Sequence, residues 1–136
     1  MRKHTRRKPV GLHPIVKQQL RAKWDSKAVL GQIHALMGED RDKLLAFGSV
    51  LLFVASACAM HLGWTGDEAD MRIVRASVNA LDDLAKRPAI TELDRGALHA
   101  GMMAAHRIIE VTPIEVVTDA AAMYDRMSDE WERAKP

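Results

Sequence analysis

The 136-residue sequence holds a single cysteine, Cys58, and that scarcity removes two classes of protein. One thiol can close no internal disulfide, and it cannot supply a multi-thiolate zinc site. Aromatic residues make up only 4% of the chain, which argues against a stacking platform for unpaired bases. With 8 glycines and 5 prolines the chain is near the ordinary share, so collagen-like and low-complexity readings fall away. No segment alternates apolar and polar residues long enough to make a strand, and no fixed-period repeat is visible. Catalytic signatures are missing as well: no glycine-rich phosphate loop, no G-x-S-x-G, and no telling Cys-His spacing. The expectation is therefore a chain with no enzymatic activity and no cofactor.

What the sequence does contain is enough apolar material for a packed core, at 48%, alongside 28% charged residues. The charge is unevenly placed. Residues 1–27 carry nine Lys or Arg against one acid, Asp25, while 28–136 carry 11 basic and 17 acidic residues. The front is thus about +8 and the rest about −6, an asymmetry that bears on partners rather than on fold. Arg2, Lys3, Arg6, Arg7 and Lys8 form a basic arm over residues 1–11, which lack periodic apolar positions and end at Pro9 and Gly11. A short arm of this kind gains sequence-independent affinity for phosphates by releasing counterions. Together with Lys17, Arg21 and Lys23 these residues are the candidate binding set, for nucleic acid or for an acidic protein surface. No apolar stretch follows the basic opening, so it is not a secretory signal, and Pro9, Gly11 and Pro14 interrupt the helix that a mitochondrial presequence requires. A cytoplasmic protein is expected.

Residues 12–136 read as one all-α domain, a compact bundle of about five to six helices. Pro14 suits a first helical position and opens a short basic helix over 14–23, with Ile15, Leu20 and Trp24 as apolar points. Asp25 or Ser26 would cap a second helix, 26–37, whose Val29, Leu30, Ile33, Leu36 and Met37 recur at helical spacing. Gly38 would end it in a left-handed conformation. Asp40 starts the third and longest, 40–62. Its stripe of Leu44, Phe47, Leu51, Val54 and Cys58 stands beside a small-residue face of Gly48, Ser49, Ala55, Ser56 and Ala59. Thr65 and Glu68 make a capping box ahead of a helix to Lys86, with Met71, Val74, Val78, Leu81 and Ala85 on one face. Thr91 and Asp94 repeat that box ahead of 92–110, with Leu93, Ala97, Ala104 and Ile108 inside. Thr112, Pro113 and Glu115 open the last helix, to about Lys135, on a seam of Val117, Ala121, Tyr124, Ser128 and Trp131. That seam could pack inward or pair with a second copy as a homodimer.

The run from Leu44 to Gly66 has no Asp, Glu, Lys or Arg over 23 residues, so it must be weighed as a membrane anchor. Glycine, two serines and several alanines make it a poor inserter, and the later helices need a soluble partner for their one-sided apolar faces. A central buried helix is the favoured reading. Of the six histidines, His99 and His106 share a helix face but lie two turns apart, and no zincin-like pair of histidines is present. No metal site is expected from them. The cluster Glu39, Asp40 and Asp42 reads as the acidic first turn of a helix.

The opening Lys3-His4-Thr5-Arg6-Arg7-Lys8, the stretch Asp94-Arg95-Gly96-Ala97-Leu98-His99 and the start Thr112-Pro113-Ile114-Glu115 together resemble a group of short bacteriophage and prophage accessory proteins. The resemblance covers the arm and about the last 45 residues. It implies a small, non-enzymatic chain that occludes a host protein or nucleoprotein complex, anti-CRISPR inhibitors included. The competing expectation is a DNA-binding regulator using the basic arm. A helix-turn-helix at Leu36 to Arg41 is disfavoured, because its second helix is the most apolar in the chain.

Overall fold

The computed structural model describes residues 11–136, and the arm residues Arg2, Lys3, Arg6, Arg7 and Lys8 lie outside them. Five helices form the described part: α1 (Pro14–Met37), α2 (Arg41–His61), α3 (Ala69–Ala85), α4 (Glu92–Glu110) and α5 (Ile114–Ala134). No strand occurs among the described residues. The all-α reading therefore holds. α2 and α4 lie at the centre, with α1 and α3 each packed on both of them, and α5 laid mainly against α2.

α1 is one helix where the sequence suggested two. Pro14 takes the first turn as expected, behind His13, whose Nδ1 accepts from the Ile15 N–H at 3.1 Å. Asp25 and Ser26 then cap nothing, because the helix runs straight through them. No proline interrupts residues 15–37, and Trp24, only 2% exposed, anchors the joint against the core. Its inward face is made of small residues, Ala28, Gly31 and Ala35. A Cβ on Gly31 would stand 2.7 Å from Leu51 Cδ1 and 3.0 Å from Met102 Sδ, so glycine lets α1 approach both central helices. Gly38 ends the helix with φ −71°, not in the left-handed region. What it avoids is a clash, since a Cβ there would meet the His34 carbonyl oxygen at 2.8 Å.

α2 starts as expected, Asp40 accepting from the Lys43 N–H at 3.1 Å. It is long and apolar enough to cross a membrane, yet here it touches all four other helices. Both expected faces are used: Leu44, Leu51, Val54 and Cys58 are buried, and so are Gly48, Ala55 and Ala59. Burial also pushes the Cys58 thiol up, as befits a small hydrophobe rather than a reactive thiolate.

The next two helices differ from expectation in phase. Glu68 accepts from the N–H groups of Thr65 and Gly66, both at 2.9 Å, but this closes a turn before α3, which begins at Ala69. The buried line of α3 is Val74, Ser77 and Leu84, while Val78 is 43% exposed. A Cβ on Gly101 would land on the Ser77 side chain, so two small residues make the α3–α4 crossing and a bulkier pair could not. In α4 the capping box of Thr91 and Asp94 is fully formed. It turns Asp94 inward to Arg87, and helical phase then carries the neighbouring Leu93 outward to 86% exposure. α5 opens at Pro113 with no side-chain cap; Thr112 is buried and donates back to the Ile108 carbonyl at 2.7 Å.

Candidate interaction surface

Arginines close the open ends of three helices. Arg21 donates to the carbonyls of Ile109 and Thr112, both at 2.7 Å, at the end of α4. Arg41 reaches the carbonyls of Ala85, the last residue of α3, and of Arg87 just beyond it, and Arg95 reaches that of Ala35 near the end of α1. The last carbonyls of a helix lack intrahelical partners and carry partial negative charge, so a guanidinium fork suits them. Of the candidate binding residues, Arg21 is thus engaged inside the fold. Lys17 meets Glu115 at 2.9 Å on the surface, and its hydrogen bond holds that carboxyl below the usual range. Lys23 is exposed. Lys17 and Arg21 line one open recess with Glu115, and Lys23 is not among its lining residues.

The most unusual surface is the outer side of α1. Val29, Leu30, Ile33, Leu36 and Met37, expected to face inward, are 46%, 48%, 44%, 52% and 68% exposed. The physical reason is competition between two apolar faces of one helix. From Ala28 to Met37 only Gln32 and His34 are polar, so spacing alone cannot say which side turns inward. The small side won, because α2 and α4 present bulky Leu51 and Met102 that need a shallow neighbour. The bulky side was left outward as a contiguous stripe. It continues into an open recess of about 540 Å³ where Leu36 and Met37 meet Pro88, Ala89 and Ile90. Lys23 is exposed seven residues before Leu30 on the same side of α1, while Lys27 turns its ammonium to 5.2 Å from the centre of the Trp24 ring, beside Phe47 and Tyr124.

A second exposed apolar feature lies toward the far end of α5. The expected seam is followed only in its first half: Val117 is buried, Ala121 and Tyr124 are half-buried, and Ser128 and Trp131 are exposed. Tyr124 leans on Phe53 of α2, ring centres 5.4 Å apart, and Met127, Ser128 and Trp131 line an open recess with Ser49 and Phe53. Trp131 is 76% exposed.

Two ionic contacts tie parts of the fold together. Arg87 grips Asp94 through two hydrogen bonds of 2.7 Å. With the Thr91 N–H they hold this buried carboxyl well below its ordinary range. Arg107 binds Asp70 at 2.8 Å and ties α4 to the start of α3. Comparison of the chain with protein-family descriptions, with curated proteins and with solved structures finds no match.

Proposed function

We propose that the chain is a non-catalytic binding protein that holds an apolar, acid-rimmed protein surface against the outer face of α1. The single observation that carries this reading is the stripe of five bulky apolar side chains on a helix whose opposite side is anchored in the core. Contiguous exposed apolar area on a globular chain marks an interaction surface. The stripe is also preorganised. Trp24 on its core side and the Arg95 hydrogen bond to Ala35 fix the helix, so little ordering cost attends docking. The exposed Lys23 on the same side of the helix favours a partner with carboxylates beside an apolar centre. The resemblance to phage accessory proteins supplies the partner's class: a host protein or nucleoprotein complex in the cytoplasm, blocked by occlusion as anti-CRISPR inhibitors do.

The double variant Ile33→Lys, Leu36→Lys tests this directly. Both positions are exposed, so the melting temperature should stay within a few degrees, about the range for surface changes. Capture of a nuclease-resistant partner from host lysate should fall to background. Undiminished capture by the variant would remove α1 from the binding site. A dimer that forms with the native chain and dissolves in the variant would reassign the face to self-association.

The charge split of the sequence favours a second reading, in which the arm residues Arg2, Lys3, Arg6, Arg7 and Lys8 contact nucleic acid. Removing residues 1–8 should then abolish duplex binding without lowering the melting temperature. Affinity should fall with salt at a log–log slope near −0.9 per phosphate contacted. Equal binding by the intact and shortened chains would end that reading.

A further inference from the structure

We propose that Asp25 of α1 and His106 and Glu110 of α4 form a binding site for a divalent transition cation of the zinc class. His106 and Glu110 are four residues apart on α4, so their side chains project from the same face one turn apart. Asp25 stands opposite on α1, its Oδ1 at 3.1 Å from His106 Nε2. One ligand atom from each of the three lies within 4.8 Å of the other two. Zinc bonds to nitrogen and oxygen are about 2.0–2.2 Å, which places two tetrahedral ligands about 3.4 Å apart. Glu110 is exposed, so its side chain is free to turn toward the other two.

The chemistry of the three groups fits a transition ion better than a hard one. An imidazole nitrogen with two carboxylates suits zinc, cobalt or nickel, whereas calcium and magnesium prefer oxygen throughout. Two carboxylates around a neutral imidazole also balance a double positive charge. Among the described residues neither Asp25 nor Glu110 forms an ion pair with a lysine or arginine. His106 is 21% exposed, and its other ring nitrogen faces the Gln32 amide at 3.4 Å. A cation on Nε2 leaves the proton on Nδ1, which then donates to the Gln32 carbonyl oxygen once the amide is turned. That is the outer-shell support metal-bound imidazoles usually have. Because Asp25 and Glu110 are accessible, the remaining coordination positions fall to water. The ion would tie α1 to α4 across about 80 residues of chain, at the edge of the apolar stripe.

The test uses the metal-free, full-length chain without a histidine tag, titrated with Zn²⁺ by calorimetry and with Co²⁺ by visible absorption. One saturating equivalent is expected. At a hundredfold excess over Kd the melting temperature should rise by about 5–10 °C. Glu110→Gln, a surface change that leaves the fold intact, should weaken binding about tenfold or more, and His106→Gln should remove the cobalt bands. His99→Gln, on the same helix, should bind as the native chain does. Mg²⁺ and Ca²⁺ at the same concentrations should leave the melting temperature unchanged. Absence of saturable Zn²⁺ binding, or binding by Glu110→Gln and His106→Gln equal to that of the native chain, would overturn the assignment.

Discussion

α2 and the second half of α1 are apolar nearly all the way round, and they meet opposite fates. α2 is wrapped by all four other helices, and its bulky and small faces are both buried. The second half of α1 has comparable character from Ala28 to Met37, but its bulky side faces outward. The difference teaches that a continuous apolar pattern shows only how much surface seeks cover, not who provides it. α2 finds its cover within the chain. On the reading proposed here, the outer face of α1 finds it in another molecule.

The largest effect expected from this contrast is at Leu51. Leu51→Asp should abolish folding, and Leu51→Ala should cost about 2–5 kcal/mol in urea denaturation, the range for truncating a packed core residue. Ile33→Ala, an equally drastic truncation on α1, should change stability by about 0.5 kcal/mol or less. If the two cost the same, the outer face of α1 is covered in the isolated chain and the comparison collapses. Next comes the α3–α4 crossing. Gly101→Ala should cost about 1–3 kcal/mol, because the added methyl must displace Ser77. Gly96→Ala, with open space around its Cβ position, should leave stability unchanged or raise it by up to about 1 kcal/mol.

Asp94 sharpens the contrast through pH. Its folded pKa lies below the unfolded value of about 3.9, so its stabilising contribution is complete above about pH 5. As pH falls through about 4 and lower, the unfolded state takes up the proton first and the contribution is lost. Asp94→Asn should lower the melting temperature by about 5–10 °C at neutral pH and flatten the acid limb of the pH–stability curve. An unchanged acid limb would mean the Arg87 grip is not maintained in solution. The smallest effect belongs to Trp131→Ala, expected to shift stability by less than about 0.5 kcal/mol because the ring is 76% exposed.

Local signals in the sequence served well. The Thr91–Asp94 box, the Asp40 cap and the Pro14 start each depend on groups within a few residues, and each occurs where the sequence places it. Phase was harder to read. Val29, Ile33 and Leu36 satisfy helical spacing as well as Ala28, Gly31 and Ala35 do, and only the shape of α2 and α4 selects between them. Leu93 was misplaced because a cap residue, Asp94, took the inward position beside it. The role of Arg21 was beyond reach, since its partners Ile109 and Thr112 lie 88 and 91 residues away. The His106–Glu110 spacing is legible, four residues apart on one helix, but two ligands alone do not make a site. Asp25, on a distant segment, gave no hint of joining them.

The long reach from Arg21 to the end of α4 also has a consequence for synthesis. A ribosome extends the chain at roughly 5–20 residues per second. α4 is completed some 70 residues after α1, so α1 waits on the order of 4–15 seconds for its main packing partner. During that interval its inner side has only α2 to pack on, and its outer side is bare. α1 should therefore be the segment of the nascent chain that a ribosome-associated chaperone holds longest.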